Sequence, residues 1–359
     1  MPSSVIVGSG SCIPERVIDG SHFINSKFYT DAGDFIDKPN EEIIKKFVDI
    51  TEIEERRYLR NDQFNSDLGV QAAKEAIYDA KIEKEEIDYI IFASNFGEVS
   101  ANGMANFMPN MAARVKHKLG IKNRKCITYD MIFGCPGWVE GLILADTMIK
   151  AGKAKTVLVV GGETLSRVTD PYDRNKMIFA DGAGAVIVTA TEDSKVGVLA
   201  DSTLCDNGEE LCYLENGPSL NLEHNQSQLF IRMRGRKIYE YALKNVPDAI
   251  KATIDKAGLD ISDIHKILIH QANAKMDYAM IGRLFKLYGK KDYDHAISPM
   301  TIQQFGNSSV ATVPTLFDLI RKGKMKGQSF TPGSHIIFTS VGAGMNINCV
   351  VYKFPEGKI

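Results

Sequence analysis

The sequence predicts an α/β fold with mostly parallel sheets, built from two related halves. Short β-branched runs recur along the 359 residues with helical stretches between them: "SVIVGSG", "IDYIIFAS", "KTVLVVGG", "AGAVIVTA", "HKILIHQ" and "HIIFTSVGAG". Strands alternating with amphipathic helices point to an α/β class, and runs that are apolar throughout suit strands covered on both faces. There is also an internal echo. "AAKEAIYDAKIEKEEIDYIIFASNF" (Ala72 to Phe96) aligns without a gap on "AIKATIDKAGLDISDIHKILIHQAN" (Ala249 to Asn273). A second echo follows in the same order, "GCPGWVEGLILADTMIKAGKAKTVLVVGG" with "GNSSVATVPTLFDLIRKGKM…GSHIIFTSVG". One such match between α/β segments can arise by chance; two in order indicate duplication.

Taken along the chain, "SVIVGSG" opens as a strand. The "GSGSC" that ends it lacks the third glycine of a dinucleotide fingerprint. The first echo segment supplies a helix, a charged loop and a buried strand. After it comes the loop "SNFGEVSANGMANFMPNMAA" (Ser94 to Ala113). The strand-like run Ile127 to Phe133 stops at Gly134, and Pro136 begins an apolar pattern of helical period. Proline suits a first helical turn, where its missing N–H costs little. "KTVLVVGG" and "AGAVIVTA" complete a first half, residues 1–194, with the join near Glu192 to Val198. Residues 195–359 repeat the plan, so that Gly306-Asn307 corresponds to Gly134-Cys135.

Composition bounds the function. A net charge of −2 gives no electrostatic case for nucleic acid or an acidic membrane surface. No apolar run approaches the roughly 18 residues of a membrane span. The start, "MPSSVIVGSGSCIPE", has no basic region followed by a long apolar stretch, so no signal peptide is expected. Cys12, Cys126, Cys135, Cys205, Cys212 and Cys349 are scattered without metal-ligand pairing. The expectation is a reduced, cytoplasmic protein with no metal site. The basic stretch "RMRGRK" (Arg232 to Lys237) reads as a solvated face or as a small docking patch for an acidic partner.

Cys135 is the residue with unusual local physics. A free cysteine is most often a small buried hydrophobe. This one stands at a helix start, where the macrodipole and free N–H groups favour thiolate, the nucleophilic form. Gly134 permits the sharp strand-to-helix turn that exposes the sulfur. In a duplicated fold equivalent strand ends meet near the pseudo-twofold axis. Cys135 is therefore expected beside His270, at the end of "KILIH", and Asn307, at the equivalent helix start. Singly, His270 reads as structural and Asn307 as a helix cap. The turn "SVGAGMN" adds backbone N–H groups suited to an oxyanion hole.

Together "DMIFGCPGWVEGL", "DPYDRNKMIFADGAGAVIV", "IHQANAKM", "FGNSSVATVPTL" and "SVGAGM" resemble the ketoacyl-acyl-carrier-protein synthase III family of the thiolase superfamily. The resemblance spans nearly the whole chain. It implies a thiolase-like five-layered αβαβα fold, a homodimer and an acyltransferase. Cys135 would hold an acyl group as a thioester. Decarboxylation of malonyl-acyl carrier protein would then give an enolate, met by His270 Nε2 and the Asn307 amide. The tetrahedral oxyanion would face the N–H groups of Cys135 and Ala343. No cofactor is implied, the substrates being carried on coenzyme A or on the phosphopantetheine of acyl carrier protein. Arg174 matches a residue that holds the coenzyme A nucleotide. Asn273 matches one beside the pantetheine tunnel, and Gly235 and Gly306 join the substrate-binding set. Lys275 stands where a carrier-protein docking residue is often basic.

The chain departs from that pattern in places. Lys46 and Ile50 stand where the family has the Trp and Arg that flank adenine, so coenzyme A and protein both stay open as the acyl carrier. "GAGMNIN" replaces a Thr-Trp-Gly run. The loop Ser94 to Ala113 is longer than usual, is expected to shape the acyl pocket and dimer interface, and offers Glu98 as an extra base. Such a base would suit an alternative, head-to-head joining of two acyl thioesters. A non-catalytic acyl- or carrier-binding subunit is a further alternative, opposed by the retention of Cys135, His270 and Asn307.

Overall fold

A computed structural model describes residues 2–357. Two large sheets organise the chain, beside three two-stranded ones. The first has five strands in the order Ser3–Cys12, Asp181–Thr191, Thr156–Thr164, Tyr89–Ala93 and Ile127–Met131. The second has four, ordered Gly197–Cys205, Asn346–Lys353, His335–Gly342 and Ile264–Ile269. The echoed strands hold matching places: Tyr89–Ala93 lies parallel beside Thr156–Thr164, as Ile264–Ile269 lies beside His335–Gly342.

Both sheets are mixed, which corrects the expectation of mostly parallel pairing. Thr156–Thr164 runs antiparallel to Asp181–Thr191, and His335–Gly342 antiparallel to Asn346–Lys353. For the second of these pairs the physical reason lies in the connection. A parallel pair needs a crossover of a dozen or more residues, whereas only a three-residue turn, Ala343–Met345, joins the latter two strands.

Five layers follow from which faces are apolar. The helices Gly137–Lys150 and Thr312–Arg321 lie between the sheets. Trp138, Leu142, Leu316 and Phe317 pack there with Ile91 and Val159 of one sheet and Ile336 and Phe338 of the other. The sequence "GWVEGLILADTMIK" is apolar around most of its circumference, as a helix covered on two sides must be. The helices Asn65–Ala80 and Met111–Leu119 cover the outer face of the first sheet, and Gly235–Lys256 and Ala274–Leu287 that of the second. The central helices thus begin where the C-terminal ends of the parallel strands converge. No helix is long and apolar enough to cross a membrane among the described residues.

Candidate active site

Cys135 sits in the turn between the strand Ile127–Met131 and the helix Gly137–Lys150, with Pro136 as the N-cap. It therefore precedes the helix rather than opening it, and still faces its N-terminus. Gly134 has φ +75°, and a Cβ there would stand 3.0 Å from the backbone N and O of Ala343. A side chain at 134 would both strain the turn and push Ala343 away. From the other side, a Cβ on Gly342 would come within 2.7 Å of the Cys135 N. Two glycines therefore let the 342–343 turn pack directly against the backbone of Gly134 and Cys135.

His270 and Asn307 reach the same point from the second half. The His270 N–H donates to Thr339 O (2.9 Å), continuing the strand Ile264–Ile269 by one residue. Asn307 is gripped by backbone bonds on both sides, its N–H to Ile178 O (2.9 Å) and its C=O from Ala180 N (2.8 Å). Its Oδ1 accepts the Ser309 N–H at 2.7 Å. A backbone N–H can only donate, so the amide has one orientation, with Nδ2 left as a donor. Gly306 has φ +66°, and a Cβ there would fall 2.7 Å from Arg56 Cβ. This glycine is buried and lets the chain turn over Arg56 into Asn307, which lines the cavity described below.

Ser309 and Thr312, which the sequence reading passed over, connect His270 with Asn307. Ser309 holds φ +52°, a conformation a non-glycine residue keeps only when its surroundings demand it. Its N–H holds Asn307, and its carbonyl faces the Thr312 hydroxyl that also meets the His270 ring. The Thr312 hydroxyl lies 2.8 Å from His270 Nδ1 and 2.9 Å from Ser309 O. It has one proton to give. Given to Ser309 O, it accepts from Nδ1–H and leaves Nε2 bare as a base; given to Nδ1, it leaves Nε2–H as a donor.

Burial sets the charges. The Cys135 thiol is pushed up to about 11, chiefly by burial, with the Ser309 hydroxyl opposing and Glu163 adding to the rise. Desolvation thus opposes the thiolate that the helix start favours, although Cys135 is only half-buried, and a base is needed to take the proton. Burial moves His270 down to about 4, so the ring is neutral at pH 7 and able to be that base.

A cavity of about 580 Å³ opens next to the site, with Asn307, Asn273, Gly235 and Arg174 in its wall. Cys135 and His270 do not line it. Lys46 and Ile50 do, and with Lys38, Arg174 and Glu42 they give the channel two lysines, an arginine and a carboxylate among mostly apolar side chains. The Asn273 Oδ1 caps the helix Ala274–Leu287 through the Met276 N–H (3.1 Å). Lys275 is exposed and outside the cavity wall.

Glu98 is corrected. Its carboxylate accepts the Ser66 N–H (2.8 Å) and Oγ–H (2.7 Å), with Arg114 at 3.8 Å, and the side chain is buried. Capping the first turn of the helix Asn65–Ala80 occupies it, and it does not line the cavity. The head-to-head alternative loses its proposed base. "RMRGRK" is largely neutralised, Arg232 facing Asp170 and Asp173, Arg234 facing Glu215, and Arg236 facing Glu240. All six cysteines are free, and no group of three or more His, Cys, Asp or Glu side chains able to hold a metal occurs among the described residues.

Two family models match the chain, 3-oxoacyl-[acyl-carrier-protein (ACP)] synthase III over residues 129–208 and its C-terminal counterpart over residues 254–354. The chain is 33% identical over 359 residues to a beta-ketoacyl-[acyl-carrier-protein] synthase III of Erythrobacter litoralis, covering 99% of this chain and 100% of the relative. It is 32% identical over 367 residues to one of Clostridium acetobutylicum, with the same coverage. Among solved structures, the 3-oxoacyl-[acyl-carrier-protein] synthase III of Aquifex aeolicus superposes with a TM-score of 0.79 at 29% identity, over 99% of this chain and 100% of that one.

Proposed function

The chain belongs to the 3-oxoacyl-[acyl-carrier-protein] synthase III family, and from that premise we propose which of its residues perform the reaction and in what order. It is an acyltransferase that condenses an acyl group with malonyl-acyl carrier protein. In the first half-reaction the Cys135 sulfur bonds to the acyl carbon and the bond from that carbon to the carrier sulfur breaks. Nε2 of His270 takes the thiol proton and passes it to the leaving thiol. The oxyanion between them meets the N–H groups of Cys135 and Ala343; a missing donor of this kind costs about 10²–10³ in rate.

In the second half-reaction the malonyl C–C bond breaks, CO₂ departs, and the electron pair becomes an enolate. Between the half-reactions the neutral ring exchanges through solvent to its other tautomer, with the Thr312 hydroxyl then donating to Nδ1, so that Asn307 Nδ2 and His270 Nε2–H donate to the enolate oxygen. The enolate carbon attacks the acyl thioester, and the Cys135 sulfur leaves as thiolate and takes a proton from solvent water. The observation that carries this reading is the Asn307 amide: its oxygen is fixed on Ser309 N–H, which leaves its donor side beside the cavity.

Arg174, Asn273 and Gly235 line the channel for the pantetheine arm, and the exposed Lys275, two residues beyond Asn273, is offered to the carrier protein. No metal or redox cofactor takes part. Lys46 and Ile50 offer no aromatic platform for adenine, and we leave the acyl donor's carrier to the experiment below. The two halves fall at 1–194 and 195–359, a division supported by the matching strand orders of the two sheets. The protein works as a cytoplasmic homodimer. Support comes from the edge strand Ile127–Met131, which leaves Ile127, Tyr129 and the following Ile132 exposed, as the neighbouring loop leaves Met104, Phe107 and Met108. Neither nucleic acid nor membrane is a partner.

Intact mass after incubation with acetyl-, octanoyl- and β-ketoacyl-thioesters, on coenzyme A and on carrier protein, tests the first half-reaction. One acyl adduct in the wild type and none in Cys135→Ala is expected. Folded protein that takes no acyl group from any donor overturns the reading.

A further inference from the structure

Glu163, at the end of the strand Thr156–Thr164, is a carboxyl group only 1% exposed that the reaction above does not use. Its Oε1 accepts both the backbone N–H and the side-chain Nδ2–H of Asn95, while Oε2 has no partner among the described residues. The other Nδ2 hydrogen of Asn95 goes to Ser309 Oγ at 2.9 Å. A hydrogen-bonded chain thus crosses from the first half of the fold to the second. From Ser309 it continues through the backbone to the donor proposed for the enolate, because the Ser309 N–H meets Asn307 Oδ1 at 2.7 Å. Every link is an N–H given to an oxygen, so the chain has one direction. Ser309 itself holds the left-handed φ of +52°, and whatever keeps it there decides where its N–H points.

We propose that Glu163 is a positioning residue for Asn307: by clamping Asn95 it tethers the Ser309 side chain, and so holds the Ser309 backbone in the left-handed turn that aims its N–H at the Asn307 oxygen. Without the carboxyl group Asn95 loses the acceptor shared by its backbone and its amide, and the Ser309 side chain loses a fixed partner. Ser309 is then free to relax towards ordinary φ, which swings its N–H away from Asn307 Oδ1. The Asn307 amide can turn over, and its oxygen would face the enolate in place of Nδ2. The carbonyl end of Ser309 is held independently, by the Thr312 N–H and hydroxyl, and that hydroxyl keeps its own contact with His270 Nδ1. Decarboxylation, which uses Asn307, therefore depends on Glu163 more than acylation does. The charge state fits the role. Burial raises Glu163 to about 8, against the two Asn95 N–H groups, so at pH 7 it is mostly the neutral acid and orients Asn95 without bringing a full charge to the site.

The proposal rests on Asn307 serving the enolate, and its test keeps the two apart. CO₂ release from malonyl-acyl carrier protein by enzyme acylated beforehand is compared with single-turnover acylation of Cys135. The side-chain NH₂ signal of Asn307, assigned by its loss in Asn307→Ala, is followed without substrate by magnetic resonance in enzyme labelled with heavy nitrogen at asparagine. The variants are Glu163→Leu, Glu163→Gln, Ser309→Gly and the Leu/Gly double variant, with thermal unfolding run beside each. A missing oxyanion donor costs about 10²–10³ in rate, so a misaimed one should slow CO₂ release about tenfold or more in Glu163→Leu, with acylation within about threefold of wild type. Glu163→Gln, whose oxygen can accept the same two N–H groups, should return CO₂ release to within about threefold. Glycine takes the left-handed turn without a tether, so adding Glu163→Leu to Ser309→Gly should slow CO₂ release less than about twofold further. The Asn307 signal should move in Glu163→Leu and return in Glu163→Gln. Equal losses in the two half-reactions, a Gln variant as slow as the Leu one, an undiminished loss in the glycine background or an unmoved Asn307 signal overturns the proposal. If Glu163→Leu does not fold, Asn95→Ala, at a half-buried position, takes its place, and wild-type CO₂ release there overturns it. Enzyme that never acylates, or Asn307→Ala that releases CO₂ at the wild-type rate, removes the proposed function and leaves the Asn307 signal to decide the positioning.

Discussion

Thr312→Val separates the two tasks assigned to His270. Thr312 is only 6% exposed and its hydroxyl is held between Nδ1 (2.8 Å) and Ser309 O (2.9 Å), so valine fills its space and no water takes its place. What valine removes is worth different amounts at different steps. When Nε2 takes the Cys135 proton the ring becomes an imidazolium, and its Nδ1–H then donates to Thr312 Oγ1. A hydrogen bond to a charged group contributes about 1.5–3 kcal/mol, a neutral one about 1. At about 1.4 kcal/mol per tenfold in rate, acylation should fall roughly ten- to a hundredfold. Decarboxylation by enzyme acylated beforehand uses the neutral ring as an Nε2–H donor and should fall only about fivefold. Rapid-quench mass measurement gives the first rate and CO₂ release from malonyl-acyl carrier protein the second. The melting temperature should drop by only about 2 °C, since one neutral bond is lost. Equal losses in the two half-reactions, or acylation within twofold of wild type, would refute the assignment of His270 as base and of Thr312 as the group that supports it.

Three further outcomes are expected. With the thiol pushed up to about 11, only about one Cys135 in ten thousand is thiolate at pH 7, so its alkylation by iodoacetamide should climb about tenfold per pH unit from 7 to 10; a plateau below pH 8 would show that donors at the helix start outweigh burial. Gly306→Ala must place a Cβ 2.7 Å from Arg56 Cβ in a left-handed turn, and should cost about 2–4 kcal/mol in urea unfolding together with most of the condensation activity. Loss of activity with unchanged stability would mean that the glycine touches substrate after all. Arg174→Ala removes an exposed cation from the cavity wall and should raise KM for the acyl donor about three- to tenfold while kcat holds, as steady-state kinetics on each carrier will show. A fall in kcat alone would count against a binding role.

The fold was legible because its signals are local or repeated. Gly134 and Pro136 mark the turn around Cys135 within three residues, and the gapless echo puts His270 and Asn307 at strand ends that a duplicated fold must bring together. Antiparallel pairing was misread from the apolar runs, since burial on both faces looks the same in a parallel or a mixed sheet. The charge of Cys135 was legible only in part for a related reason: a helix start is visible in the sequence, and the desolvation that opposes it is not. Glu98 carried no local mark of being a cap, because its partner Ser66 lies 32 residues away. Ser309 and Thr312 were on view in "FGNSSVATVPTL", yet a serine after an asparagine reads as a helix start. Only the contact between Asn95 and Ser309, 214 residues apart, shows that this one has another task.

The same desolvation that raises the thiol suits the second half-reaction. At pH 7 the burial-driven shifts leave Cys135 a thiol, His270 a neutral imidazole and Glu163 mostly an acid, so none of the three brings a fixed full charge to the reacting atoms. An ion left unpaired in such a place would be costly, and groups that neutralise themselves avoid that cost. A malonyl carboxylate entering it loses hydration without gaining a counter-ion, which favours its departure as CO₂. The enolate that remains spreads its charge onto an oxygen, where fixed dipoles already point: the Asn307 amide, oriented by Ser309, and the His270 ring, oriented by Thr312. A cationic side chain in the same position would hold the carboxylate as firmly as the enolate and would forfeit that difference. The neutral amide and imidazole are therefore better matched to decarboxylation than a lysine or arginine would be, and the resting thiol is the consequence of building the site that way.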